Sequence, residues 1–337
     1  MATMRDVAGA AGVSTATVSA VLNGTSYVSP LLRERVERAV RDLAYRPSRA
    51  ARVLRRGRSE LIAISVADLA NPFYSQVVRA AEAAASAAGY ALIVFNSDER
   101  VDAERRILAR AQALGCDGTL LIPAGAADDY DAAELAAFPP TVLLGRSLAV
   151  APLDTVTIDN VAAGRQATDY LLDLGHRRIG SIAGRLGTST GRDRLQGMRE
   201  AMAARGLEPD PRHVRVGEFR EELSYSLALD MLGAADRPTA LYVANGVMAL
   251  GVMRALADLG LDCPADVSIA STDTVAGHGG ISPRLTRTEH PIAEMTAEAI
   301  RLLVDRIEGN PDPAPRRLIF APSLVVGRSC APLRQGA

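Results

Sequence analysis

The sequence predicts a small all-α head followed by a larger α/β core of two lobes with parallel sheets. Three observations support this fold class. The first 46 residues read as three short amphipathic helices. From Leu61 onward, short apolar runs alternate with longer helical stretches, which is typical of parallel sheets flanked by helices. Charge is also segregated, because residues 1–58 hold 11 Arg and 4 acidic residues whereas the rest of the chain is acidic.

Composition limits the functional classes that need to be considered. The chain has 337 residues, of which 48% are hydrophobic, so it is long enough for two or three domains. The formal net charge of -1 divides into +7 on residues 1–58 and -8 on the remainder. A basic head on an acidic body favours binding of a polyanion such as DNA. A solvated, arginine-rich helical surface would have the same composition.

Several kinds of protein are disfavoured by what the sequence lacks. No apolar stretch reaches the roughly 18 residues of a membrane helix, and residues 1–25 do not resemble a signal peptide, so we expect a cytoplasmic protein with no membrane partner. Cys116, Cys263 and Cys330 are far apart, which predicts reduced thiols and no metal site. All 38 basic residues are arginine, which excludes a Walker-A lysine or a pyridoxal Schiff base. No cofactor is expected.

The first helix of the head is predicted from its capping residues. Thr3 can cap its start with Asp6 as the reciprocal partner, and Gly12 breaks the helix. The apolar residues expected on its inner face are Val7, Ala8 and Ala11.

The second and third helices complete a helix-turn-helix within a domain of residues 1–46. Ser14 is a good cap for a helix from Thr15 to Leu22, which Asn23 and Gly24 end. Its inward residues are expected to be Val18, Val21 and Leu22. The third helix starts at Ser29 with Pro30 in its first turn. The apolar spacing of this helix runs through Leu32, Val36, Val40 and Leu43.

Small residues on the outer face of the second helix suit a DNA major groove. We expect the polar side chains, Ser14, Thr17, Ser19 and Asn23, to bond phosphates. We expect Thr15, Ala16 and Ala20 to meet base edges, where their methyl groups favour thymine methyls. The alternative is a polar helix surface without a ligand.

Two runs of the head carry a specific resemblance. Asp6 to Gly24 (DVAGAAGVSTATVSAVLNG) and Val28 to Ser59 (VSPLLRERVERAVRDLAYRPSRAARVLRRGRS) resemble the lactose repressor/galactose repressor family of bacterial regulators. The resemblance implies that residues 47–59 hold a hinge helix and linker. Within it, Leu54 would wedge into the minor groove and Arg52 would lie beside it. A helix of about nine residues is too short to be stable alone, so we expect it to fold on DNA. The alternative is a flexible basic linker.

The core, residues 60–337, is read as two lobes joined by crossing segments. The predicted strands are the apolar runs LIAISV, YALIVF, GTLLI, TVLL, RIGSIAG, TALYV and VSIA. A strand from Thr155 to Ile158, followed by Asp159-Asn160, reads as a crossing between lobes. ANPFY, IDN, RDRLQGM and VANGVMALG extend the family resemblance through the core. It implies a type I periplasmic-binding-protein fold whose first lobe is completed near residues 289–320 and whose second is completed by the tail.

The resemblance also implies a small-molecule effector between the lobes, at the carboxyl ends of the strands. Matched residue by residue, Arg194, Asn245 and Asp273 would bond the effector, although Arg194 or Asp273 could instead form an inter-lobe salt bridge. Phe73 and Tyr74 could stack on a ring or simply cap the helix that starts there.

Two glycines depart from the family pattern at this site. Gly145 and Gly246 stand where relatives carry carboxylates. A typical sugar would lose charge-assisted hydrogen bonds there. The expected effector, a sugar or related metabolite, is therefore less hydroxylated than usual, or absent.

Other functions remain open from sequence. GTSTG (Gly187 to Gly191) fits the hydrolase pattern around Ser189, with Asp273 and His278 following in the required order. The predicted strand ends too early for a nucleophile elbow, and a transport protein would need a signal peptide. We expect a homodimeric, effector-controlled repressor of transcription that binds operator DNA and is not an enzyme. An activator on the same scaffold is the nearest alternative.

Overall fold

A computed structural model places most of the chain. The described residues are 2–24, 26–45, 58–149, 152–273, 283–309 and 314–333. They divide into two compact units, Met1–Ser59 and Glu60–Ala337. Arg52 and Leu54 lie outside the described residues, so the expected hinge helix stays a prediction.

The head contains the three predicted helices: α1 (Met4–Ala11), α2 (Thr15–Asn23) and α3 (Pro30–Asp42). The predicted capping box begins α1, where the Thr3 backbone N–H donates to Asp6 at 2.7 Å. The Ser14 hydroxyl caps α2 by accepting from the Thr17 N–H at 3.1 Å. Gly12 ends α1 in the left-handed conformation, with φ of 62°. These short helices therefore begin and end where local chemistry places the boundaries.

The inner faces of these helices form one apolar cluster. Its buried members are Val7, Ala8, Ala11, Val18, Val21, Val36, Ala39 and Tyr45. Two expectations were wrong. Leu43 is 37% exposed, because it lies at the end of α3, where the helical spacing no longer applies, and Tyr45 completes the cluster instead. Ala20, which was expected on the outer face of α2, is buried, because its single methyl group stays close to the helix.

The core comprises two lobes, each built on a six-stranded sheet of described strands. Lobe one contains β1 (Leu61–Val66), α4 (Pro72–Ala87), β2 (Ala91–Asn96), α5 (Val101–Ala113), β3 (Gly118–Leu121), α6 (Ala132–Ala136), β4 (Thr141–Leu144), β5 (Asp154–Ile158), α11 (Ile292–Ile307) and β11 (Arg317–Phe320). Lobe two contains α7 (Asn160–Asp173), β6 (Ile179–Ala183), α8 (Ser189–Ala203), β7 (Val214–Val216), α9 (Glu221–Gly233), β8 (Ala240–Val243), α10 (Gly246–Asp258), β9 (Ser268–Thr272), β10 (Thr286–Glu289) and β12 (Ser323–Val325).

The two sheets follow corresponding strand orders. Sheet one runs β11-β5-β4-β3-β1-β2 and sheet two runs β12-β10-β9-β8-β6-β7. The pairs are parallel except for β10 with β12, which is antiparallel. Central strands such as β1 and β8 are buried along their whole length, which explains their continuous apolar sequences. The predicted fold class is confirmed, including completion of lobe one by α11 and β11.

The chain passes between the lobes three times within the described residues. The predicted crossing lies at Asp159, between β5 and α7, and the others join β10 to α11 and β11 to β12. All three start or end on the strands β5, β10, β11 and β12, at one edge of each sheet. The opposite edges are formed by β2 and β7. In the part of the core that the structure describes, the lobes are therefore connected along one side, which is the hinge side of the core.

In lobe two, the backbones of α7 and α8 are in close contact. A Cβ atom on Gly164 would come within 2.0 Å of the Arg194 carbonyl oxygen, and one on Gly197 within 1.9 Å of the Val161 carbonyl oxygen. Each helix therefore presents a glycine to the backbone of the other. Among the described helices, none is long and apolar enough to cross a membrane.

Gly164→Ala is expected to destabilise the core by about 1–3 kcal/mol, because the added methyl group must push the two helix backbones apart. Urea unfolding measures the change. Gly233→Ala is the matched control, since it is also helical but its Cβ would meet only Leu259 at an ordinary 3.8 Å. Equal stability of Gly164→Ala and wild type would contradict the close-packing argument.

Candidate functional site

The outer surface of α2 is small and uncharged. Thr15 and Ala16 are exposed, and Thr17 and Ser19 are half-buried. The exposed Ser14 hydroxyl already caps the helix and lies 2.9 Å from the Thr17 hydroxyl. The side chain of Asn23 lies outside the described residues. The helix thus offers methyl and hydroxyl groups, and its sequence TATVSAVLN contains no ionisable side chain.

The helices beside α2 carry arginines together with all four acidic residues of residues 1–58. The described arginines on α1 and α3 are Arg5, Arg33, Arg35, Arg38 and Arg41. Sequence reasoning did not single out Tyr27, which is 90% exposed just before α3, or Leu31, which is 69% exposed in its first turn. Side chains so exposed contribute little to the head core.

A cavity lies between the two lobes of the core. All five sequence-predicted effector residues line it: Phe73, Tyr74, Arg194, Asn245 and Asp273. Phe73 and Tyr74 belong to α4 of lobe one, whereas the other three belong to lobe two. The cavity lies at the carboxyl ends of parallel strands, where open α/β sheets bind their ligands.

Lobe two contributes a buried polar network centred on Arg194. Its Nη1 donates to the Ala244 carbonyl at 2.7 Å and lies 3.4 Å from Asp273, and its Nε donates to Asn160 at 2.9 Å. His290 completes the network, with Nε2 at 3.2 Å from Arg194 and Nδ1 at 2.5 Å from Asp273. Arg194 and Asp273 therefore pair within one lobe, and the alternative of an inter-lobe salt bridge is wrong.

The Asp273 carboxylate is held in its ionised form. Burial raises its pKa, but the interactions with His290 and Arg194 outweigh this effect and lower it below the usual value. Asp273 also adopts a left-handed φ of 70°, which turns the chain at the end of β9. The cavity thus receives an ionised carboxylate from lobe two.

Lobe one contributes a second buried ion pair that sequence reasoning missed. Glu99 accepts two hydrogen bonds from Arg146, at 2.6 and 2.7 Å, and both side chains are almost fully buried. Arg146 also donates to the Pro123 carbonyl at 2.8 Å. Sequence reasoning looked for a lobe-one carboxylate at Gly145. The structure supplies one through Glu99, which follows the edge strand β2.

Asn245 and the aromatic pair have defined roles in the cavity wall. The Asn245 side-chain oxygen caps α10 by accepting from the Met248 N–H at 2.9 Å, which leaves its NH₂ group for a ligand. Asn71, and not an aromatic ring, caps α4 by accepting from the Phe73 N–H at 3.0 Å. The centroid of the Phe73 ring lies 5.2 Å from the ring centroids of both Tyr74 and His290. The helix-capping interpretation of Phe73 and Tyr74 is therefore wrong.

Ser189 lies in a setting unlike a nucleophile elbow. It is the first residue of α8, six residues beyond Ala183, where β6 ends. Its hydroxyl accepts from the Ser147 N–H at 3.0 Å. Asp273 is occupied by Arg194 and His290, and His278 lies outside the described residues. The described geometry gives this serine a structural contact between the lobes.

A buried acid supports the cavity wall from behind. Glu104 on α5 accepts from the Ala124 N–H at 2.8 Å, next to Pro123, which holds Arg146. Burial raises the pKa of Glu104 to about 7, an effect that its hydrogen bonds with Tyr130 and Ala124 only partly offset. The Glu104 carboxyl therefore titrates near neutral pH.

Glu104→Gln is expected to flatten the pH dependence of stability. A carboxyl whose pKa is raised on folding stabilises the protein fully below its unfolded pKa, and this contribution is lost as pH rises through about 7. Between pH 5 and 8, the free energy of unfolding of the wild type should therefore fall by on the order of 2 kcal/mol relative to that of the variant. Urea unfolding at several pH values measures the difference. Parallel pH profiles would show that Glu104 does not titrate in this range.

Comparison with known proteins relates both the head and the core to described families. Residues 3–48 match the family described as bacterial regulatory proteins, lacI family, and residues 168–330 match a periplasmic binding protein-like domain. The HTH-type transcriptional regulator CelR of Thermobifida fusca is 36% identical over 336 residues, which cover 97% of this chain and 98% of CelR.

Two solved structures extend the similarity to the whole fold. A transcriptional regulator CelR-cellobiose complex is 34% identical, with a TM-score of 0.74 and coverage of 98% of this chain and 100% of that chain. The lac repressor dimer bound to operator and the anti-inducer ONPF is 28% identical, with a TM-score of 0.86 and coverage of 98% and 99%. Head and core thus occur together in these relatives.

Proposed function

This chain belongs to the lacI family of bacterial regulatory proteins, and we propose that it is a dimeric repressor whose operator affinity is set by a small molecule between its core lobes. The observation that carries the proposal is the inter-lobe cavity, where side chains from both lobes converge. A ligand that contacts both lobes binds one lobe arrangement better than another, and this difference is what shifts a conformational equilibrium.

In the proposed DNA complex, α2 lies in the major groove. Thr15 and Ala16 meet thymine methyl groups, and Ser14, Thr17, Ser19 and Asn23 lie near phosphates. Ala20 is buried and contributes to the shape of the helix, so it is removed from the set of base contacts. One helix reads few bases, which favours two heads on a palindromic site. Arg52 and Leu54 would act in the minor groove.

The cavity favours an uncharged, hydroxylated ligand with an apolar ring face. Arg146 and Arg194 each pair with a carboxylate, so neither offers an unneutralised charge to an anion. The Glu99 and Asp273 oxygens keep lone pairs that can accept ligand hydroxyls. Because Glu99 replaces a missing family carboxylate, the effector need not be poor in hydroxyl groups. The cellobiose complex of the relative CelR supports a neutral sugar.

We assign no catalytic role to this chain. The family consists of regulators, and Ser189 is engaged with the Ser147 backbone in the described structure. The proposed site of action is the cytoplasm, because the proposed partner is chromosomal operator DNA. Hydrolysis of a p-nitrophenyl ester by wild type but not by Ser189→Ala would support the enzyme alternative.

Operator binding tests the head and hinge assignments. Selection from random duplexes with the full chain should give a palindromic site, and its affinity should fall about a thousandfold between 50 and 200 mM salt if six phosphates are contacted. Leu54→Ser should weaken binding by a few kcal/mol through loss of the wedge. Leu114→Ser, a change at an exposed leucine of the core, is the control. An asymmetric half-site, or equal affinity for Leu54→Ser and wild type, would contradict these assignments.

Ligand response tests the cavity. Cellobiose and other neutral sugars should be screened by thermal shift beside their phosphorylated counterparts, and a ligand at 100 times its Kd adds about 2.7 kcal/mol of stability. Asp273→Asn should bind operator like wild type but lose the ligand-induced change in operator affinity. Asp173→Asn, at an exposed surface pair with Arg205, is the control. Retention of the full response by Asp273→Asn would place the effector elsewhere.

A further inference from the structure

Two short segments meet at the side of the core opposite the crossings. Asp98 and Glu99 follow β2, and Glu218 and Phe219 follow β7. These strands form the edges farthest from the hinge in their respective sheets. All four residues have left-handed φ values between 53° and 60°, although none is glycine. Such backbone persists only where the surrounding structure holds it in place, and it is concentrated at functional and switching segments.

Arg185 of lobe two joins these segments. Its Nη1 donates to the Glu99 carbonyl of lobe one at 2.8 Å and to the Ala124 carbonyl at 3.4 Å. Its Nε donates to the Glu218 carboxylate at 2.8 Å, within its own lobe. The side chain is about one-third exposed, so its hydrogen bonds are partly shielded from water. A single guanidinium therefore fixes both segments at once.

Two further contacts span the same junction. Arg220 of lobe two lies 3.4 Å from the Asp98 carboxylate of lobe one. The Arg146 guanidinium of lobe one lies over the Phe219 ring of lobe two, 5.4 Å from its centroid. The Phe219 ring packs directly on Gly184. A Cβ atom added to Gly184 would lie 2.1 Å from the ring. Arg146 itself is held by Glu99.

We propose that Arg185, residues 98–99 and residues 218–220 form a latch that fastens the lobes together at the edge opposite their hinge. Every contact of the latch joins residues of this chain, so the latch does not need a bound molecule to close. Glu99 and Phe219 also line the cavity, so a ligand there would touch the inner side of the latch. Arg185 acts as a positioning residue that sets how readily the lobes separate.

The amide of Ser147 provides a readout in lobe one, outside the latch residues, and its partner Ser189 lies four residues after Arg185 in lobe two. It donates to the Ser189 hydroxyl across the lobes at 3.0 Å, so lobe separation exposes it to exchange. In the full-length protein without added ligand, Arg185→Met should raise hydrogen-exchange rates at Ser147 by about tenfold or more. Arg177→Met is the matched control, because Arg177 donates to the carbonyls of Leu172 and His176 within lobe two.

Three results would overturn the proposal. One is unchanged exchange at Ser147 in Arg185→Met, and another is faster exchange confined to residues 98–99 and 218–220. The third is an equal rise in Arg177→Met, which would indicate general loosening of lobe two. None of these results depends on the identity of the effector or on DNA binding, so failure of the latch and failure of the proposed function are distinguishable.

A charge exchange tests the latch without removing Arg185. Asp98→Arg places a second cation beside Arg220, and it should raise exchange at Ser147. Adding Arg220→Asp restores opposite charges at the junction and should return exchange toward the wild-type rate. If the double variant exchanges as fast as Asp98→Arg alone, the Asp98–Arg220 pair does not fasten the lobes and the proposal is wrong at this contact.

Discussion

A guanidinium buried in an α/β core is stable only if carboxylates and carbonyls surround it, and the arrangement around Arg194 meets this requirement. Its partners come from four places in the chain: the start of α7, the residue after β8, the residue after β9 and the segment after β10. The close helix contact at Gly164 places the Arg194 backbone so that its side chain can reach all four. Loss of a partner would leave an uncompensated buried charge, so these elements depend on one another.

The same network reaches two of the three crossings between the lobes. Asn160 begins α7 directly after the crossing at Asp159, and His290 lies between β10 and α11. A ligand that changes the hydrogen bonds of Arg194 or Asp273 therefore acts on the segments about which the lobes turn. On the opposite edge, Glu99 and Arg146 connect the cavity to the contacts with Phe219 and Arg185. The cavity is consequently bounded by a hinge on one side and by breakable lobe contacts on the other.

Features with a local cause were predictable from sequence, whereas long-range pairs were not. The Thr3 capping box, the Ser14 cap and the buried strands depend on residues a few positions apart. The family resemblance located Arg194, Asn245 and Asp273 in the cavity wall because their motifs are contiguous. Glu99 and Arg146 are 47 residues apart and meet only through the order of the strands, and β7 and β10 are too short and polar for a periodicity signal. Ala20 was misplaced because helical spacing alone does not report how far a small side chain is buried.

The division of charge explains how such a chain can be both specific and controllable. The acidic remainder of the chain, at -8, is repelled by DNA, so electrostatic attraction has to come from residues 1–58, at +7. Since α2 itself carries no charge, its contacts can discriminate bases without adding non-specific affinity. Six of the eleven arginines of residues 1–58 lie at positions 46–58, after the three helices. One α2 helix also reads only a few bases. High affinity requires two heads acting together, and a core that changes the spacing of the heads can then control occupancy without touching DNA.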